Sequence, residues 1–99
     1  MNTQIALFSA STTTGPLTMT SRDIAAYTGK EHRHVIADIR TMLEQLGLGE
    51  PSFRSSYLTE QNKRVVMFVL PKDLTITLVS GYSVPMRHAI VTRWQELEA

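Results

Sequence analysis

The 99-residue sequence contains no cysteine, which excludes a disulfide framework and a thiolate site. No apolar stretch approaches the roughly 18 residues that span a bilayer. The first residues lack the basic start and apolar segment of a signal peptide. We therefore expect a cytoplasmic protein. Apolar residues make up 42% of the chain, as in a typical globular protein, and this length supports a single core.

The familiar catalytic motifs are missing as well. The sequence has no glycine-rich phosphate loop and no GxSxG, HExxH or CxxC. Its three histidines, His32, His34 and His88, have spacings that fit no familiar metal site. Asp38 and Glu44 are spaced along one predicted helix in a way that does not make them a cooperating acid and base. The sequence therefore predicts a binding protein rather than an enzyme, with no metal and no cofactor.

A strong excess of charge of one sign is also lacking, because the net charge at pH 7 is only +1. The distribution is uneven, however. The segment from Arg54 to Lys72 contains four cations and one acidic residue, Glu60, which leaves a local charge of +3. Phosphate attraction acts within a Debye length of about 10 Å, so a local basic patch suits a DNA-contacting face. A solvated hairpin explains the same charges equally well.

The hydrophobic pattern predicts an α+β fold in the order helix, helix, β-hairpin, helix, helix. Thr20 is the expected N-cap of a first helix that ends at Gly29. We place the other elements at about 31–46 (helix), 53–59 and 64–70 (strands around a tip at 61–63), 72–79 (helix, with Pro71 at its first position) and 83 onward (helix capped by Ser83). Residues 19–99 then form the domain. Residues 1–18 form an N-terminal arm or a short strand around Ile5 to Phe8, with a Ser/Thr loop.

The first two predicted helices and the turn at Gly29 match a helix-turn-helix. The second helix has an apolar stripe and a polar opposite side. The stripe comprises Val35, Ile36, Ile39, Met42, Leu43 and Leu46, and the opposite side comprises Lys30, His34, Ala37, Thr41 and Gln45, with Arg33 and Glu44 at its edge. With the following hairpin as a wing, the arrangement is winged helix-turn-helix-like. The alternative is a purely structural helical pair whose hairpin carries a charged tip.

The candidate contact residues follow from this arrangement. Lys30, Arg33, His34 and Thr41 are expected at the major groove, Arg54, Lys63 and Arg64 at the phosphates, and Ser21 and Arg22 complete the DNA- or partner-binding set. His32 falls on the core side of its helix, either as a strut that fixes the turn or as a satisfied, partly buried histidine.

The last helix carries a second apolar stripe, made by Met86, Ile90, Trp94 and Leu97. At this spacing the stripe is typical of core. The alternative is an oligomer interface, and a dimer or tetramer is expected because helix-turn-helix proteins commonly pair.

Three segments of the sequence resemble a known family. They are Met19-Thr20-Ser21-Arg22-Asp23-Ile24-Ala25 with Thr28-Gly29-Lys30, His32, Val35-Ile36 and Asp38-Ile39-Arg40; then Phe53 with Ser55-Ser56-Tyr57; and then Val69-Leu70-Pro71-Lys72-Asp73 with Leu78-Val79-Ser80-Gly81-Tyr82-Ser83. Together they resemble the phage regulatory protein Rha family, and also the N-terminal domains of Roi-type phage antirepressors. The similarity spans about residues 18–95.

The resemblance implies a phage- or prophage-encoded regulator that acts in the cytoplasm of the bacterial host. Its recognition helix would be residues 30–46 and its wing residues 53–70. Two modes of action stay open. The chain regulates transcription by binding phage operator DNA, or it is an antirepressor that binds and inactivates a phage repressor and so promotes lytic induction.

Overall fold

The computed structural model describes residues 17–99 and consists of four helices and a small antiparallel sheet. The elements in chain order are β1 (Thr18–Thr20), α1 (Ser21–Thr28), α2 (His32–Leu46), a 3-10 turn (Glu50–Ser52), β2 (Arg54–Leu58), β3 (Arg64–Pro71), α3 (Lys72–Val79) and α4 (Val84–Glu98). The α+β class and the order of helices and hairpin predicted from the sequence are confirmed. No helix in this part of the chain combines the length and the apolar composition needed to cross a membrane.

The sheet has the strand order β1–β3–β2, with β3 in the centre. The hairpin pairs Arg54 with Phe68 and Leu58 with Arg64, and the short strand β1 pairs Met19 with Leu70 on the other edge of β3. The sequence analysis missed β1, because three residues are too few to show the alternation of a strand. The leading strand expected around Ile5 lies outside the described residues.

Local capping signals set the helix ends as expected. Thr20 accepts a hydrogen bond from the backbone N–H of Asp23 at 3.1 Å, and Ser83 caps α4 in the same way. Gly29 ends α1 with φ +80°, a left-handed conformation that favours glycine, and its N–H donates to the carbonyl of Ala25.

Two boundaries differ from the prediction. Lys30 lies in the turn between α1 and α2 rather than on α2, because the extended conformation of Glu31 makes that residue the N-cap. Pro71 is likewise the N-cap of α3 and the last residue of β3, not the first helical residue. The turn that joins α1 to α2 therefore consists of Gly29, Lys30 and Glu31.

The core lies where α1, α2 and α4 meet the sheet and α3. Its largest fully buried side chains are Met19, Ile24, Val35, Ile39, Leu43, Phe68, Leu70, Val79, Ile90 and Trp94. Most of the apolar stripe predicted on α2 is buried. Its last member, Leu46, is 48% exposed, because α2 ends there and the chain turns away at Gly47.

The second predicted stripe lies in the core, as its spacing indicates, and the alternative of an oligomer interface requires a correction. Ile90 and Trp94 are fully buried in the chain's own core, and Leu97 packs against that core. Met86 is half-buried at the start of α4. Ile90 and Trp94 therefore hold α4 against its own domain, and their side chains are not accessible to another subunit. Oligomerisation stays a prediction without an assigned surface.

A buried hydroxyl joins three elements at the start of α1. The backbone N–H of Phe68 in β3 donates to Ser21 Oγ at 3.0 Å, and His32 Nε2, at the first residue of α2, lies 2.8 Å from the same oxygen. Ser21 directly follows the last paired residue of β1. Where the chain turns into a helix, its side-chain oxygen accepts the hydrogen bond from β3 that a backbone carbonyl would accept in a continuing strand. We call Ser21, His32 and Phe68 the junction.

The junction favours a neutral His32. Burial and the neighbouring Arg22 charge lower the pKa of His32 from its ordinary value of 6.5. Ser21 can accept from Phe68 and donate its own proton to Nε2 of a neutral imidazole. A protonated imidazole would instead have to donate to Ser21, and the serine proton would then need another buried acceptor. His32 therefore acts as a strut at the turn, which is one of the two roles that the sequence left open.

Two leucines on α2 test how the core is built. Leu43 is fully buried and Leu46 is 48% exposed, although they lie three residues apart on one helix. Leu43→Ala should lower the free energy of unfolding by about 2–5 kcal/mol, because it removes buried carbon and leaves a cavity. Leu46→Ala should lower it by less than about 1 kcal/mol. Urea denaturation measures both values, and equal losses would contradict the described packing.

The junction also predicts a pH dependence of stability. A folded-state pKa below the unfolded value means that the unfolded chain binds the proton more readily. The stability contributed by His32 should thus be complete above pH 6.5 and decline as the pH falls below it. Urea denaturation across this range should show a smaller decline for His32→Gln than for the wild type. His88→Gln, at an exposed histidine, is the control; if it changes the pH profile as much as His32→Gln, the junction is not the source.

Candidate functional site

The side of α2 that faces away from the core is open. Arg33, His34, Ala37 and Thr41 are all exposed, and they follow one another along the N-terminal two thirds of the helix. No other described element covers these residues. A small side chain, Ala37, lies among the polar ones. This is the surface that the sequence analysis proposed for contact with another macromolecule, and we call it the α2 face.

The turn before α2 holds a second polar cluster. Lys30 Nζ lies 2.7 Å from Asp38 Oδ2 and 4.0 Å from the centre of the Tyr82 ring, and the Tyr82 hydroxyl donates to the same carboxylate oxygen at 2.7 Å. Partial burial by itself would raise the pKa of Asp38. Hydrogen bonds from Lys30 and Tyr82, and the nearby charges of Lys30 and His34, outweigh it and lower that pKa.

This cluster changes the role of Lys30. Burial, together with the hydrogen bond to the charged Asp38, raises the pKa of the Tyr82 hydroxyl well above its usual value, so Tyr82 stays a donor. Lys30 is only 24% exposed and is committed to Asp38. It therefore serves to fix the turn against the α3–α4 loop, and it is not the free groove donor that the sequence suggested.

The cations of the chain divide into two groups. All ten lie among residues 17–99, and six of them have an acidic partner within 4 Å: Lys30, Arg33, Arg40, Arg54, Lys72 and Arg93. The four without such a partner in this part of the chain are Arg22, Lys63, Arg64 and Arg87. Three of these four belong to the hairpin or contact it, so the unneutralised positive charge is concentrated beside the hairpin.

Each of these hairpin cations has a defined place. Arg22 stacks its guanidinium on the Tyr57 ring of β2 at 3.9 Å from the ring centre. Arg64, the first residue of β3, donates to Ser56 Oγ at 2.9 Å. Lys63 is exposed and follows Asn62, whose φ of +66° forms the tip of the hairpin. Arg54 lies at the other end of β2, 3.7 Å from Glu50.

Ser21 requires a correction. It was proposed to contact DNA or a partner, but it is fully buried, and its hydroxyl is occupied by the junction. Its neighbour Arg22 is exposed. Ser21 therefore positions α1, α2 and β3 relative to one another, while Arg22 presents charge at the surface.

A cleft of about 550 Å³ separates the first half of α2 from β3. Its walls are His32, Arg33, Ile36 and Arg40 on α2 and Arg64, Val65 and Val66 on β3, without an acidic side chain among them. The sequence analysis missed Arg40. Arg33, Ile36 and Arg40 recur at the spacing of one helix face, so the sequence could have grouped them. That this face meets β3 is a tertiary fact that the spacing does not contain.

The described residues contain no group of three or more histidine, aspartate or glutamate side chains that could hold a metal ion. The arrangement instead combines an open helix face, a basic hairpin and a cleft with three arginines between them. Such a surface is suited to binding an anionic macromolecule.

Comparison with known proteins gives one positive finding. Neither a curated protein nor a solved structure gives a significant match to the chain. A protein-family model, that of the phage regulatory protein Rha, matches residues 19–99. The match begins in β1 and includes all four helices and the hairpin. The chain therefore belongs to the phage regulatory protein Rha family.

Proposed function

We propose that this chain is a phage transcription regulator that binds DNA through α2 and the β2–β3 hairpin. The observation that carries the proposal is the open α2 face beside a hairpin whose cations Lys63 and Arg64 lack acidic partners among the described residues. The regulatory role of the family supports it.

The helix pair supports the proposal by its form. Helix α1 is short, the turn contains Gly29, and α2 is longer and amphipathic, which is the pattern of a helix-turn-helix. The major groove of B-DNA is about 12 Å wide and admits a helix with small or polar outward side chains. On the α2 face, Arg33 and His34 would approach the base edges first, Ala37 would allow close approach, and Thr41 would follow.

The hairpin completes a winged arrangement. It follows α2 directly, and the junction holds its strand β3 against the first residue of α2. In this proposal Lys63 and Arg64 contact phosphates beside the groove that α2 enters, and Arg54 lies farther along the same strand pair. The nearly neutral net charge is compatible with this role, because the unneutralised cations lie together.

The ion pair of Arg33 with Glu31 does not prevent base or phosphate contact. The two groups lie 2.6 Å apart, but their side chains are 76% and 63% exposed. A pair so open to water stabilises the fold by about 1 kcal/mol at most. The guanidinium can therefore exchange the carboxylate for a phosphate or a guanine edge at little cost.

One substitution on the α2 face tests DNA binding directly. Ala37→Glu adds a negative charge at an exposed helical position, so the fold should be retained while the charge opposes the phosphates. We expect its Kd for a labelled duplex of mixed sequence, about 20 base pairs or two helical turns long, to rise at least about tenfold in low salt. Fluorescence anisotropy measures the change.

Gln95→Glu is the matched control, because it alters the net charge equally at an exposed position on α4, which packs on α1 and α3. It should bind the duplex nearly as well as the wild type. Absence of duplex binding by the wild type at low salt would contradict the proposal. Nuclease-resistant co-purification with a phage repressor would then point to the antirepressor mode of action instead.

A further inference from the structure

We propose that the cleft between α2 and β3 holds a phosphate group of the bound DNA strand, with Arg33, Arg40 and Arg64 as its ligands. This inference rests on the proposed DNA binding and adds a defined site to it. The cleft shares Arg33 with the α2 face: it assigns this side chain to a phosphate, while His34, Ala37 and Thr41 would meet the base edges. A phosphate held in the cleft would fix the positions of α2 and the hairpin relative to the DNA backbone.

The charges of the cleft favour an anion. Its charged wall residues are the three arginines, and Arg64 has no acidic partner among the described residues. Arg40 lies 3.4 Å from Glu50, and Arg33 pairs with Glu31, both as solvent-exposed pairs that exchange partners readily. Guanidinium groups match phosphate oxygens through two parallel hydrogen bonds, which a lysine cannot supply.

The cleft combines its three guanidinium groups with an apolar part of the wall. Ile36, Val65 and Val66 form this apolar part. The cleft has a volume of about 550 Å³ and is open to solvent, so a phosphate of a DNA strand bound at α2 and the hairpin could enter it.

The protonation of His32 should depend on whether a phosphate is bound in the cleft. It lines the cleft, and its second ring nitrogen, Nδ1, has no hydrogen bond to a described residue. The groups around it are Arg22 and Ser21 on α1, Arg33 on α2 and Arg64 on β3, with the Tyr57 ring of β2 edge-on at 6.1 Å.

Burial and the charge of Arg22 disfavour a charged imidazole in the free protein, because both lower the pKa of His32. A phosphate in the cleft would reverse this balance by adding negative charge. Proton uptake at Nε2 would turn the Ser21 proton away from the ring, a cost that the added negative charge of the phosphate offsets. DNA binding should therefore be accompanied by proton uptake at His32, and it should strengthen as the pH falls towards 6.

The first arm of the test compares two exposed cations. Arg64 is the first residue of β3 and Lys72 directly follows its last residue, so the two lie about 26 Å apart at the rise of an extended strand. With the mixed-sequence duplex, Arg64→Ala should reduce the slope of log K against log salt by about 1, and Lys72→Ala should leave it unchanged. Arg64→Lys should retain the slope, because the charge remains. Thermal denaturation checks that each variant is folded.

The second arm measures protons. Calorimetric titration of the duplex into protein near pH 6.5, in buffers of different ionisation enthalpy, should show proton uptake for the wild type. His32→Gln, which can still hydrogen-bond to Ser21, should bind the duplex without this uptake. A merely structural role of His32 would change affinity without removing the buffer dependence.

The outcomes separate this proposal from the one on which it rests. Duplex binding with equal salt slopes for Arg64→Ala and Lys72→Ala, or with the same proton uptake in His32→Gln, would overturn the phosphate site and leave DNA binding intact. Loss of duplex binding altogether would overturn both. Stabilisation by inorganic phosphate that depends on Arg64, together with unaltered duplex binding by Arg64→Ala, would assign the cleft to a free anion and overturn the proposal.

Discussion

The hydroxyl of Ser21 is the contact on which the relative position of helix and hairpin depends. It lies in the core and connects the backbone N–H of Phe68 in β3 with the ring of His32 at the start of α2. An unsatisfied N–H at this depth would cost about 1–3 kcal/mol. The bond therefore stabilises one arrangement of α1, α2 and β3 against alternatives in which the hairpin slides or tilts.

The charged groups follow from that arrangement. Because His32 is held at β3, the adjacent part of α2 meets the same strand. Arg33, the next residue, and Arg40, about two turns further along, therefore lie opposite Arg64. On the other side of the turn, Asp38 forms an ion pair with Lys30 and accepts a hydrogen bond from Tyr82, which fixes the α3–α4 loop. The two polar clusters hold the turn from both sides and leave the α2 face free.

The local features of this fold were readable in the sequence. Thr20, Gly29, Asn62 and Ser83 each act through their own backbone or a neighbour within a few residues, so both ends of α1, the start of α4 and the hairpin tip were predicted correctly. The class of the fold followed from the order of these elements. The family followed from the order and spacing of the motifs.

The features that depend on residues distant in the chain could not be predicted from the sequence. The pairing of Met19 with Leu70 joins positions far apart in the chain, so β1 left no local signal. The same holds for Lys30, which the sequence analysis placed on the polar side of α2 and which contacts Asp38 and Tyr82 instead. In each case the sequence specified the chemical group, and only the tertiary packing specified its partner.

Native-state hydrogen exchange at the Phe68 amide tests the junction most directly. In the wild type this amide should exchange as slowly as the most protected amides of the core, because its acceptor is buried. In Ser21→Ala the Phe68 amide should exchange much faster. In the control Ser55→Ala, which alters an exposed serine, the Phe68 amide should exchange as slowly as in the wild type. Equal protection of Phe68 in wild type and Ser21→Ala would contradict the account.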